Sequence, residues 1–120
     1  MKLHFYSLSL NGKIDYLVDA TFKDNTYSFK DLSIDNTNIS FKLINNHEIV
    51  LNRNGKINQV IHFVLGERTS SFYSGEYGLE FNFNIVTKKI LIETKKISVE
   101  YDMFIDNEYQ DTIKIYLLIK

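Results

Sequence analysis

"IDYLVDATFK", Ile14 to Lys23, decides the fold. Ile14, Tyr16, Val18, Ala20 and Phe22 take every second position, with Asp15, Leu17, Asp19, Thr21 and Lys23 between them. Five apolar side chains in alternation share one face of an extended chain. On a helix the same positions would scatter around the circumference. The segment therefore reads as a strand with one face turned to a core.

The same period recurs along the chain. Ile39, Phe41 and Leu43 repeat it, as do Ile57, Ile61 and Phe63, with Gln59 among them. Tyr77, Leu79, Phe81, Phe83 and Ile85 follow, then Ile97, Val99, Tyr101 and Met103, then Ile113, Ile115, Leu117 and Ile119. No window carries the i, i+3, i+4, i+7 stripe of an amphipathic helix, and the chain has a single alanine. Strands are expected at about 2–10, 13–23, 26–32, 38–44, 48–54, 56–65, 71–90 (broken near Gly75–Gly78), 97–105 and 112–119.

Polar breaks separate the runs. Asn11-Gly12 and Asn54-Gly55 are read as two-residue hairpin turns, whose central residues need positive φ. Lys23 to Asn25, Asp35 to Asn38, Asn45 to His47, Gly66 to Ser71, Glu93 to Lys96 and Asp106 to Asp111 complete the set. Strands of this length with short connections form an antiparallel meander. An open sheet of that size would expose its edges, and closure removes them. The fold expected is all-β: a single up-and-down antiparallel barrel of 8–9 strands over residues 1–120.

Composition narrows the function. The chain has 120 residues, 14 basic and 15 acidic, with a net charge of -1 and no cysteine or proline. No long-range field draws it to nucleic acid or an anionic membrane, and no disulfide framework or thiolate metal site is available. No run approaches the roughly 20 apolar residues of a membrane helix. The opening "MKLHFYSLSLNGK" is too polar and its apolar run too short for a secretory signal. A cytoplasmic protein is expected, without nucleic-acid or membrane partners and without a cofactor. Oligomeric state leaves no mark on the sequence.

No catalytic order stands out. His4, His47 and His62 are scattered without a second ligand at metal spacing. Glu80, Glu93, Glu100 and Asp102 mostly take the outward phase, and the serines lack a companion base. "SGEYGLEFNF", Ser74 to Phe83, has the aromatic-glycine texture of an RNA-binding strand, but no helices exist to back such a sheet. The chain is not expected to be an enzyme.

Arg53 breaks an apolar face, in phase with Ile49 and Leu51, and Gln59 breaks another. Arg53 reads either as a fork for the polar head of a bound amphiphile or as a barrel-end residue whose stem covers apolar surface. A two-residue Asn54-Gly55 turn would set 53 opposite 56, 51 opposite 58 and 50 opposite 59, leaving Gln59 several residues up the ladder from Arg53. Gln59 is in turn a satisfied core amide or a ligand anchor. The inward aromatics expected are Tyr16, Phe22, Phe41, Phe63, Tyr77, Phe81, Phe83 and Tyr101. With 17 aromatics in the chain, they either fill the interior or line a pocket.

Five motifs in order carry a family likeness: "LNRNG" (51–55), "HFVLGE" (62–67), "FYSGEYGLEF" (72–81), "VTKKI" (86–90) and "SVEYDMFI" (98–105). An Arg-x-Gly hairpin, a Phe-x-x-Gly strand end, an aromatic-Gly pair, a closing threonine and a Tyr-x-Met strand resemble the YwiB-like family of bacterial proteins of unknown function. The likeness runs from about Thr21 to the C-terminus. The segment before Ala20 is shorter than the family pattern, and Thr87 lies slightly further from Gly78. The resemblance implies a calycin-like barrel, related to lipocalins and fatty-acid-binding proteins, and no reaction. Two functions fit. One is non-catalytic binding of a small apolar or amphipathic ligand inside the barrel, anchored by Arg53 and Gln59 and lined by Phe63, Phe81, Phe83 and Tyr101. The other is a packed barrel that meets a protein partner through its outer surface.

Overall fold

A computed structural model describes residues 1–120 as a closed barrel of ten antiparallel strands. They are β1 (Lys2–Ser9), β2 (Gly12–Lys23), β3 (Thr26–Lys30), β4 (Thr37–Asn45), β5 (Glu48–Gly55), β6 (Asn58–Val64), β7 (Arg68–Ser74), β8 (Glu80–Ile92), β9 (Lys96–Ile105) and β10 (Glu108–Ile119). Each pairs with its chain neighbours. β1 closes the ring on β10, from Leu3 opposite Ile119 to Leu8 opposite Lys114. No helix is long and apolar enough to cross a membrane.

The expected architecture is present with one strand more. The long run 71–90 is two strands, and the first begins at Arg68, inside an expected break. A 3-10 turn at Glu76–Gly78 separates them, with Tyr77 and Gly78 at φ of 60° and 74° reversing the chain. This also corrects Tyr77: it sits on the turn, fully exposed, and not on an inward face. Phe22 is corrected likewise. It lies one residue from the end of β2, opposite Tyr27, with its ring tilted at 4.4 Å from that one and 44% exposed at the barrel's rim.

The hairpin turns are distributed differently from the expectation. Both positive-φ positions of a type I′ turn fall to Asp24-Asn25 (52° and 56°) and Asp106-Asn107 (51° and 65°). Short Asx side chains tolerate that region at little cost. In the first hairpin Gly12 already pairs with Ser9, so Leu10-Asn11 make the turn. In the β5–β6 hairpin Gly55 pairs with Thr37 of β4, so it cannot serve as a two-residue turn. The chain runs on to Ile57 and the ladder starts at Arg53 opposite Gln59. That register replaces the expected pairing of 53 with 56, and it places Arg53 and Gln59 side by side on the inner face.

The core fills the end of the barrel that holds the chain termini. Leu3, Phe5, Ile39, Phe41, Ile49, Phe63, Ile85, Ile97 and Leu117 are all at most 1% exposed. The strands alternate in direction, so the 10–11, 31–36, 56–57, 75–79 and 106–107 connections gather at the opposite end. Inward side chains there include a polar group among apolar ones.

Candidate functional site

Four elements bring that polar group together. β5 carries Arg53 inward, and β6 sets Gln59 directly across from it. β3 ends at Asp31, whose backbone N–H donates to the Thr37 carbonyl at 2.9 Å. Asp31 Oδ1 accepts from the Ser33 N–H at 3.0 Å and the Tyr16 hydroxyl at 3.3 Å, and also from Ser33 Oγ. Its Oδ2 faces Arg53 Nε at 3.6 Å, and neither atom has another partner in the protein. The Asp31 side chain is 1% exposed and that of Arg53 18%. A buried carboxylate and a guanidinium therefore balance each other's charge without a full hydrogen bond between them.

Tyr101 and Asp111 complete the group. Asp111 lies in phase with Ile113 and Ile115 and accepts the Leu10 N–H at 3.0 Å. Burial pushes the Tyr101 phenol well above its ordinary range, Arg53 opposes the shift and Asp111 adds to it. Burial also raises Tyr16, with the Asp31 charge as the next cause. Both phenols are thus held protonated, as hydrogen-bond donors.

A cavity of about 170 Å³ lies in the lumen between β5–β6 and the β1, β9 and β10 wall. Arg53, Gln59, Tyr101, Ser7 and Ser9 supply its polar lining, and Leu51, Ile61, Ile113 and Ile115 its apolar lining. Its size is close to the ~150 Å³ engineered cavity that admits benzene, and it lies below the ~300 Å³ of ordinary drug-sized pockets.

Of the six residues expected around a ligand, Arg53, Gln59 and Tyr101 meet at this cavity. Phe63, Phe81 and Phe83 do not line it, which corrects their expected place. Phe63 is fully buried, its ring 5.0 Å from that of Tyr101. Phe81 packs on Tyr73 at 5.0 Å and on Phe83 at 5.9 Å. The reason is volume: the aromatic rings occupy the interior that a wider pocket would need. Sequence reading missed Asp31, which it placed near the end of the expected strand 26–32, and Asp111, which it placed in a polar connection. The only local trace of Asp31 is the Asp-x-Ser spacing of an Asx turn.

His4 pairs with Asp15 and His62 with Glu48 across strands on the outer wall. No three His, Asp or Glu side chains converge as metal ligands.

Residues 10–117 match the family model of a domain of unknown function, DUF1934. Among solved structures, the chain is similar to the ywiB protein from Bacillus subtilis, at 18% identity and a TM-score of 0.67, covering 99% of this chain and 90% of that one. At that identity the likeness is one of fold. No curated protein matches the chain.

Proposed function

The chain belongs to the DUF1934 family, and we propose that in this member the barrel is a non-catalytic receptor for a small amphipathic molecule of about one ring's size. The observation that supports the reading is the lumen cavity of about 170 Å³ with Arg53, Gln59 and Tyr101 at its polar side and four aliphatic side chains at the other. Arg53 and the protonated Tyr101 are donors, so the ligand's polar end presents acceptors. Asp31 already offsets the Arg53 charge, so a carbonyl serves as well as a carboxylate. The cavity is too small for a long acyl chain. A cytoplasmic location belongs to the same proposal, supported by the cysteine-free composition.

A second reading, docking of a protein partner, has its own support. Leu10, Leu32, Tyr77 and Leu79 protrude from three connections at the loop end, and each is more than half exposed. Such apolar side chains are common at interfaces.

The two readings separate by experiment. Thermal unfolding and NMR titration with benzoate, benzamide and toluene test the first. The ligand reading expects the two polar probes to bind with shifts at Arg53 and Gln59, and Arg53→Met to remove that binding. Native mass spectrometry of protein taken from cells then shows a ring-sized adduct or a bound polypeptide. No probe binding and no small-molecule adduct would overturn the ligand reading.

A further inference from the structure

The outer wall of the barrel is chemically uneven. On β1–β2 and β8–β10 the outward charges pair off. Lys2 meets Asp19 at 2.9 Å, Lys13 meets Asp15 at 3.2 Å, Lys114 meets Glu100 at 3.4 Å, and Lys88 lies 3.8 Å from both Glu100 and Asp102. Across β3–β6 one outward row is neutral, flanked by a row that holds Lys30 and a row that holds Lys42 and His62. Ser28, Ser40, Asn52 and Val60 stand opposite one another in turn, and Val60 stands opposite Phe72 of β7. In the adjacent row Lys30, Asn38 and Asn54 stand opposite one another in turn.

These short side chains leave an open groove of about 720 Å³, with Asp19 and Lys30 at one end and Phe72 at the other. Among its asparagine side chains only the Asn58 amide is engaged by the protein, with Gly55 at 3.3 and 3.4 Å. Asn38, Asn52 and Asn54 keep their amide donors and acceptors free, and Ser28 and Ser40 their hydroxyls.

We propose that this groove is a binding site for a neutral polyhydroxylated ligand, an oligosaccharide. Amides and hydroxyls offer donors and acceptors together, which is what a sugar hydroxyl requires of its neighbours. The Phe72 ring, 40% exposed beside Val60, offers an apolar platform for the C–H face of a pyranose. Lys30 is the groove's single lysine and Arg53 already faces Asp31, too few cations for a phosphate backbone, whose affinity comes from them. An added peptide strand finds no free edge along the groove, because β3, β4 and β5 are paired on both sides and β6 meets β7 from Asn58 to Val60. The groove shares Arg53 and Gln59 with the lumen cavity, but its free amides and hydroxyls belong to outward-facing residues that do not line that cavity.

The test is a ¹⁵N-resolved NMR titration of the full chain with maltotriose, cellotriose and triacetylchitotriose. The expected result is saturable shifts with at least one of them at backbone residues 28–30, 38–40 and 52–54 and at the Asn52 side-chain amide. Asn52→Ala and Phe72→Ala, both at surface positions, should each weaken binding by roughly tenfold. Ser40→Lys, which fills the groove, should abolish it. Absence of saturable shifts with all three sugars at millimolar concentration overturns the proposal. So do shifts confined to other parts of the barrel, or equal affinity in the Asn52→Ala and Phe72→Ala variants.

Discussion

Asp31 and Arg53 stand 3.6 Å apart with the carboxylate almost wholly buried, so each is the other's main charge compensation. Removing one partner leaves an unbalanced charge in a low-dielectric site. Arg53→Ala should lower unfolding free energy by about 1–3 kcal/mol, read from the urea midpoint, and Asp31→Asn in the same chain should recover part of the loss. An unchanged midpoint in Arg53→Ala would show that the pair contributes nothing to stability. The phenols of Tyr16 and Tyr101 give a pH signature. Their folded-state pKa values lie above the ordinary 10.0, so the folded chain holds protons that the unfolded chain releases. That stability is fully present below about pH 10 and is lost as pH rises above it. Tyrosinate absorbance should therefore show these two hydroxyls ionising later than the exposed tyrosines, together with alkaline unfolding. Tyr101→Phe should weaken the alkaline loss; an identical alkaline profile would remove Tyr101 from the account. Arg53 and Gln59 were legible in the sequence because each interrupts an apolar alternation. Asp31 was not, because it follows the last alternating residue of a short strand.

At the scale of the hairpins, two glycines in Asn-Gly pairs separate cleanly. A Cβ on Gly55 would sit 2.0 Å from the Asn36 carbonyl oxygen and 2.8 Å from Thr37 Cα, both backbone atoms. A Cβ on Gly12 would meet nothing, though its φ of +131° still disfavours a side chain. Gly55→Ala should cost about 3 kcal/mol from strain and overpacking together, and Gly12→Ala about 1 kcal/mol. Chemical denaturation of the two variants checks the order; equal losses would mean that the β4 contact at Gly55 relaxes freely. The hairpins themselves were readable from turn residues, but their registers were not. At Asn54-Gly55 the local preference is for a two-residue turn, and the pairing of Gly55 with Thr37 overrides it. A long-range contact thus decides which residues of β5 and β6 face one another.

Over the whole barrel the ladders are uneven. β6 and β7 share only three pairs, Asn58 with Ser74, Gln59 with Tyr73 and Val60 with Phe72. Beyond them the strands diverge. Thr69 Oγ1 donates to the His62 carbonyl at 2.6 Å, and Gly66 N–H to the Thr87 carbonyl at 2.8 Å, to bridge the gap. β8, β9 and β10 are paired along nearly their full lengths. Hydrogen exchange should therefore be faster at residues 68–71 than at 97–101, because local opening follows the weakest ladder. Equal protection factors would contradict that ranking. The sequence alone determined an all-β meander, because period-two alternation with polar breaks permits one face to be buried only in strands. It also pointed to closure, since a meander of 8–9 strands with open edges would aggregate, and it marked Arg53 as out of place. The tertiary structure decided which aromatic rings fill the lumen and how much space they leave, because packed volume depends on side chains meeting across the barrel. It alone set Arg53 beside Gln59 and Asp31, because register and cross-barrel neighbours arise from contacts far apart in the chain.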